Sequence, residues 1–154
     1  MSKPLIATAA VVLLLAGTGV AQAIEPRRDA AGRPSATELF DRWNASLATG
    51  DPRRVANMYA ADAVLLPTVA GHVHDTRAEI VEYFTGFLAL KPRGTLVETK
   101  QRALGGKALV LSGLYDFAIT RDGAPETVHA RVTFVFEKRG HDWKIVEHHS
   151  SKKP

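Results

Sequence analysis

Val128 to Ser151 read VHARVTFVFEKRGHDWKIVEHHSS: two apolar-rich runs on either side of a polar turn at Lys138 to Asp142. Two such runs with a short polar connection predict the last hairpin of a β-sheet. The second run changes character along its length. It starts on Trp143, Ile145 and Val146 and finishes on Glu147, His148, His149, Ser150 and Ser151. Such a strand has a packed end and a chemical end. Side chains alternate with period two, so Val146, His148 and Ser150 are expected on one face. Ile145, Glu147, His149 and Ser151 are expected on the other.

Upstream, the pattern stays that of strands back to Thr95. Thr95 to Leu104, Lys107 to Thr120 and Thr127 to Glu137 are separated by Gly105-Gly106 and by Arg121-Asp122-Gly123-Ala124, both tight-turn signals. With Trp143 to Ser151 they make a four-strand meander. Before the meander the period changes to that of helices. Ser35-x-x-Glu38 predicts a capped helix start, with Leu39, Phe40, Trp43 and Leu47 on one face and Gly50 as the stop. Asp51-Pro52 opens a second helix whose apolar face is Val55, Met58 and Tyr59. Asp62 to Pro67 is a short strand, with His72-Val73-His74 as its partner after Gly71. Thr76-x-x-Glu79 caps a third helix carrying Ile80, Tyr83, Phe84, Phe87 and Leu88, which Lys91-Pro92 ends. Helices first and a meander last predict an α+β domain, with three N-terminal helices packed on a curved antiparallel sheet. Three short helices cannot fill such a sheet, so a pocket is expected at its open end.

The 154 residues suit one domain over 35–154, preceded by a flexible lead-in over 24–34. Residues 1–23 read as a secretory signal peptide: Lys3, the apolar run Leu5 to Leu15, then Ala21-Gln22-Ala23 as a cleavage site. The expected location is periplasmic or secreted, with no membrane contact after cleavage. The chain has no cysteine, so its core must hold it without disulfides. Its net charge of +4 is scattered, and no basic stripe is interleaved with aromatics, so nucleic acid is not an expected partner.

Trp43 with Gly50-Asp51, Tyr59-Ala60-Ala61-Asp62, Leu66-Pro67-Thr68, Tyr83-Phe84, Gly113-x-Tyr115, Ala130-Arg131-x-Thr133-Phe134, and Trp143-x-Ile145 followed by His148-His149-Ser150-Ser151 recur in this order in a known superfamily. The chain resembles the nuclear transport factor 2-like (cone-shaped α+β) superfamily in its SnoaL-like branch. Within that branch it is similar to bacterial relatives of the association (hub) domain of calcium/calmodulin-dependent protein kinase II. The resemblance covers nearly all of the chain after the signal. It implies a homodimer or larger ring and a deep pocket between sheet and helices, faced by Val146, His148 and Ser150. In the kinase hub, pocket arginines take small carboxylates. Phe134 and Ser150 stand at those places here, so the implied ligand is a small organic molecule, anionic or not.

The candidate pocket residues are Tyr115, Arg131, His148, Ser150, Trp43, Tyr59 and Tyr83. His148 has three readings: a general base, since imidazole titrates near neutrality; a hydrogen-bonding ligand contact; or a structural residue. Tyr115 could offer its hydroxyl to a ligand from an apolar wall, or be a core aromatic. Tyr59, Tyr83 and Trp43 are expected on helix faces. Arg131 needs a carboxylate partner, Glu147 or Asp116, or a ligand anion. His72-x-His74 is half of a zinc shell, with Asp75 and His129 as unplaced completions. A surface loop is the preferred reading there, and no metal is assigned. Asp62 is read as a cap or turn residue. With no G-x-G-x-x-G, P-loop or catalytic triad spacing, no cofactor is expected. Three functions stay open: an assembling protein with a ligand pocket, a small enzyme using His148 as base with Tyr115 or Arg131 stabilising an oxyanion, and a purely structural hub.

Overall fold

The computed structural model describes residues 32–68 and 70–154; the signal peptide expected over 1–23 lies outside them. The elements run α1 (Ala36–Leu47), α2 (Pro52–Ala56), β1 (Tyr59–Leu66), α3 (Arg77–Ala89), β2 (Arg93–Leu104), β3 (Ala108–Arg121), β4 (Ala124–Arg139) and β5 (Asp142–Lys152). The architecture is the expected α+β one: a curved, unclosed five-stranded sheet with helices on its inner face.

Each helix start follows from its sequence. Ser35 Oγ accepts the Glu38 N–H at 3.0 Å, but Glu38 turns to Arg42 instead of reaching back, so only half of the expected box forms. Thr76 and Glu79 form the full reciprocal box. Asp51 caps α2 by accepting from Arg53 and Arg54.

The meander has the expected order, β2-β3-β4-β5, all antiparallel. Asp122 (φ 52°) and Gly123 (φ 80°) form the two-residue turn between β3 and β4. Two left-handed residues match the twist of a hairpin. The sheet order is β1-β5-β4-β3-β2, and β1 lies parallel to β5. Thus β1 does not form a hairpin with His72–His74; that segment contributes one bridge, Leu65 to His74. The second helix also ends early. Ile145 donates to the Met58 carbonyl at 2.9 Å, and Tyr59 pairs with Ile145. Pairing with a distant strand overrides the helical pattern, so Tyr59 opens a strand instead of sitting on a helix face. Asp62 likewise lies within β1, exposed and 3.2 Å from Arg139.

Two bulges shape the sheet. Val97 is the extra residue where Leu96 pairs with Tyr115 and Glu98 with Leu114. Opposite it, a Cβ on Gly113 would come within 1.9 Å of the Glu98 carbonyl oxygen, so no side chain fits there. In β5, Val146 is the extra residue: Phe136 pairs with Ile145 and Val135 with Glu147. This changes the expected facing. Ile145 joins His148 and Ser150 on the inner face, fully buried, and Val146 stands aside half-buried.

The core fills the space between α1, α3 and the inner face. Phe40, Trp43, Phe84, Phe134 and Phe136 are its largest buried side chains, with Tyr115. They meet mainly edge to face, as with Trp43 and Phe134 at 5.1 Å between ring centres.

Candidate functional site

At the end of the inner face the core stops short of the sheet. A cavity of about 70 Å³ remains, lined by Trp43 from α1, Tyr83 and Phe87 from α3, Tyr115 from β3, and His148 and Ser150 from β5, among others. Thr68, Arg121 and Val128 border both this cavity and a larger open groove of about 420 Å³, and so mark its mouth.

His148 is 4% exposed and enclosed by rings. It stacks on Phe134 at 4.0 Å and meets Trp43 edge-on at 5.3 Å. Its hydrogen bonds fix its chemistry. The Trp43 indole N–H donates to the Tyr59 hydroxyl at 3.2 Å, and that hydroxyl lies 2.8 Å from His148 Nδ1. Indole nitrogen can only donate. Tyr59 therefore passes its own proton on to Nδ1, and only this arrangement satisfies all three groups. The neutral ring then carries its hydrogen on Nε2. That atom is buried and has no hydrogen-bond partner among the described residues. Burial, and secondarily His149, depress the His148 pKa to about 3, so it is uncharged at neutral pH. A general base needs a free lone pair and a pKa near the working pH. His148 has neither.

Two residues along the strand, Ser150 closes a second chain. The Tyr115 hydroxyl donates to Ser150 Oγ at 2.6 Å, and Ser150 Oγ lies 2.5 Å from Thr68 Oγ1. Burial pushes the Tyr115 hydroxyl pKa up, and Tyr83's to about 12, so both stay protonated. Three hydroxyls joined by two hydrogen bonds leave one proton over, on Ser150 or Thr68.

Of the residues named from sequence, Trp43, Tyr83, Tyr115, His148 and Ser150 come together around the cavity. Tyr59 does not line it, but stands behind His148 and sets its tautomer. Arg131 is elsewhere. It is exposed on the outer face, where its guanidinium approaches the Lys152 carbonyl at 3.5 Å. The strand alternation that buries Ala130 and Val132 turns Arg131 outward, and Asp116 bonds His129 instead, at 2.7 Å. His72 and His74 lie side by side, 4.4 Å between ring centres. Among the described residues, no group of three or more His, Cys, Asp or Glu could hold a metal ion. Sequence reasoning missed Thr68 and Phe87 as cavity residues. Phe87 sits one helical turn from Tyr83 and Phe84, a usable signal; Thr68 has no local signal beyond following Pro67.

The family model of the calcium/calmodulin-dependent protein kinase II association domain matches residues 33–154. The chain belongs to that family. A solved structure from Xanthomonas campestris bearing the same association-domain name is 47% identical, with a TM-score of 0.75, and the match covers 77% of this chain and 85% of that one. The hub homology domain of Chlamydamonas reinhardtii aligns at 21% identity and a TM-score of 0.60, over 78% of this chain and 97% of that one. A nuclear transport factor 2-like protein from Streptomyces avermitilis, proposed to be a dehydratase, aligns at 16% identity and a TM-score of 0.65, over 78% and 95%. The last two likenesses show the fold alone. No curated protein matches. The association-domain fold is thus joined here to an aromatic cavity in which His148 is held neutral.

Proposed function

We propose that this chain is an exported, self-associating protein whose cavity binds a small organic ligand. Self-association is carried by the outer face of the sheet. Val110 pairs with Val135, and beside them lie Ser112, Leu114 and Thr133. All five are only partly buried in the single chain. Charged residues surround them: Glu98, Lys100 and Arg102 on β2, Arg131 on β4 and Glu147 on β5. An apolar centre within a charged rim is the anatomy of a protein interface. The kinase hub relative supports the same reading by its fold. Sedimentation velocity tests it. The protein should run at a multiple of its chain mass, and Val135→Lys should reduce it to single chains. A wild-type monomer at working concentration would contradict it.

Ligand binding is supported by the cavity itself, where buried hydrogen-bond donors sit in an apolar wall, as small-molecule sites require. Export is supported by Lys3, the apolar run and Ala21-Gln22-Ala23. N-terminal sequencing of protein recovered from its host should then begin at Ile24, and an intact Met1 would contradict it. The enzyme reading has less support, because His148 is a donor and not a base.

A further inference from the structure

If the cavity is read as a ligand site, its polar groups define which ligand. The aromatic walls set an apolar body. His148 and Ser150 line one wall, two positions apart on β5; His148 Nε2 is buried and has no partner among the described residues, and the Ser150–Thr68 pair has a proton left over. Among the described residues, no carboxylate lines the cavity, and the one cation that does is Arg121 at the mouth. Arg121 is half-exposed, and its Nε bonds Glu126 Oε2 at 2.8 Å, so its charge is already answered. A ligand carboxylate would therefore leave water for an apolar space with no cation inside, at a large cost. A neutral oxygen acceptor loses far less on entry and satisfies a donor that is otherwise buried unpaired.

We propose that the cavity selects an uncharged ligand presenting a carbonyl-type oxygen on a small, flat apolar body, and that His148 Nε2–H and the Ser150–Thr68 hydroxyls bind that oxygen. The carbonyl oxygen has two lone pairs and can accept from both groups. Tyr59 is the positioning residue: by donating to Nδ1 it keeps the hydrogen on Nε2. Tyr115 does the same for Ser150 by filling one of its acceptor sites.

The inference rests on the reading of the cavity as a ligand site, and one experiment separates the two. The folded, full-length mature protein is titrated with acetone, with isobutene (the same shape with CH2 in place of oxygen) and with acetate, all small enough for a cavity of about 70 Å³, following amide shifts of Ser150 and Thr68 by NMR. The ketone should bind about tenfold more tightly than the hydrocarbon, and acetate should not saturate. Thr68→Val and His148→Phe should each reduce the ketone preference while leaving hydrocarbon binding in place. Because Thr68 lies at the mouth, its variant tests the idea even if His148→Phe fails to fold. Acetate binding as tightly as the ketone, or ketone and hydrocarbon binding alike, would overturn the inference and leave a ligand site standing. If none of the three shifts the cavity amides, the ligand reading falls too.

Discussion

The neutral, buried His148 makes stability depend on pH in a calculable way. Its folded pKa is about 3, against an ordinary value of 6.5. The folded chain keeps the ring neutral while the unfolded chain protonates it below pH 6.5. Between those two values the unfolded state binds more protons, so stability is lost as pH falls. Each pH unit within the window is worth about 1.4 kcal/mol. Going from pH 7 to pH 5 should therefore cost about 2 kcal/mol through this one residue. The loss should continue towards pH 3. Other groups also titrate, so the comparison is with His148→Phe, whose ring keeps the stack on Phe134. The variant should be weaker at pH 7, by about 1–3 kcal/mol, because Tyr59 loses its acceptor. It should then lose less on acidification, so the two curves converge by about 2 kcal/mol at pH 5. Urea unfolding at one fixed protein concentration measures both, since association would otherwise shift the midpoint. Parallel wild-type and variant curves between pH 7 and pH 5 would refute the buried neutral ring.

Three further outcomes follow from the same geometry. Tyr59→Phe leaves Trp43 Nε1–H and His148 Nδ1 unpaired in the core, and should cost roughly 2–4 kcal/mol in urea unfolding; nitrogen-detected NMR of the wild type should find the His148 hydrogen on Nε2. Gly113→Ala forces a Cβ against the Glu98 carbonyl across the Val97 bulge, and should destabilise by about 1–3 kcal/mol or prevent folding, read by thermal unfolding. Arg131→Ala should leave ketone binding unchanged in the NMR titration, since that side chain lies on the opposite face from the cavity.

Local patterns carried much of the fold. The Thr76 box, the Tyr83–Phe84–Phe87 face and the Asp122-Gly123 turn are written in neighbouring residues, and the structure keeps them. That His148 and Ser150 share a face also follows from plain alternation; that this face is the inner one is implied by the family resemblance. What stayed hidden depends on distant backbone. Nothing near Tyr59 announces that β5 will take up the Met58 carbonyl and draw the chain into a parallel strand. The Val146 bulge is set by register against β4, so the inward turn of Ile145 could not be read from β5 alone. The site was legible as a set of residues but not as a circuit. That Tyr59 lies behind His148, joining it to Trp43, follows only once β1 is beside β5. That Arg131 faces away is readable from alternation with Ala130 and Val132; that no bulge next to it reverses this is seen only in the register of β4 with its neighbours.

Native mass spectrometry of protein purified gently from its own host examines self-association and cavity occupancy in one spectrum. A multiple of the chain mass is expected, with one small uncharged molecule retained per chain; single chains carrying no added mass would overturn both proposals.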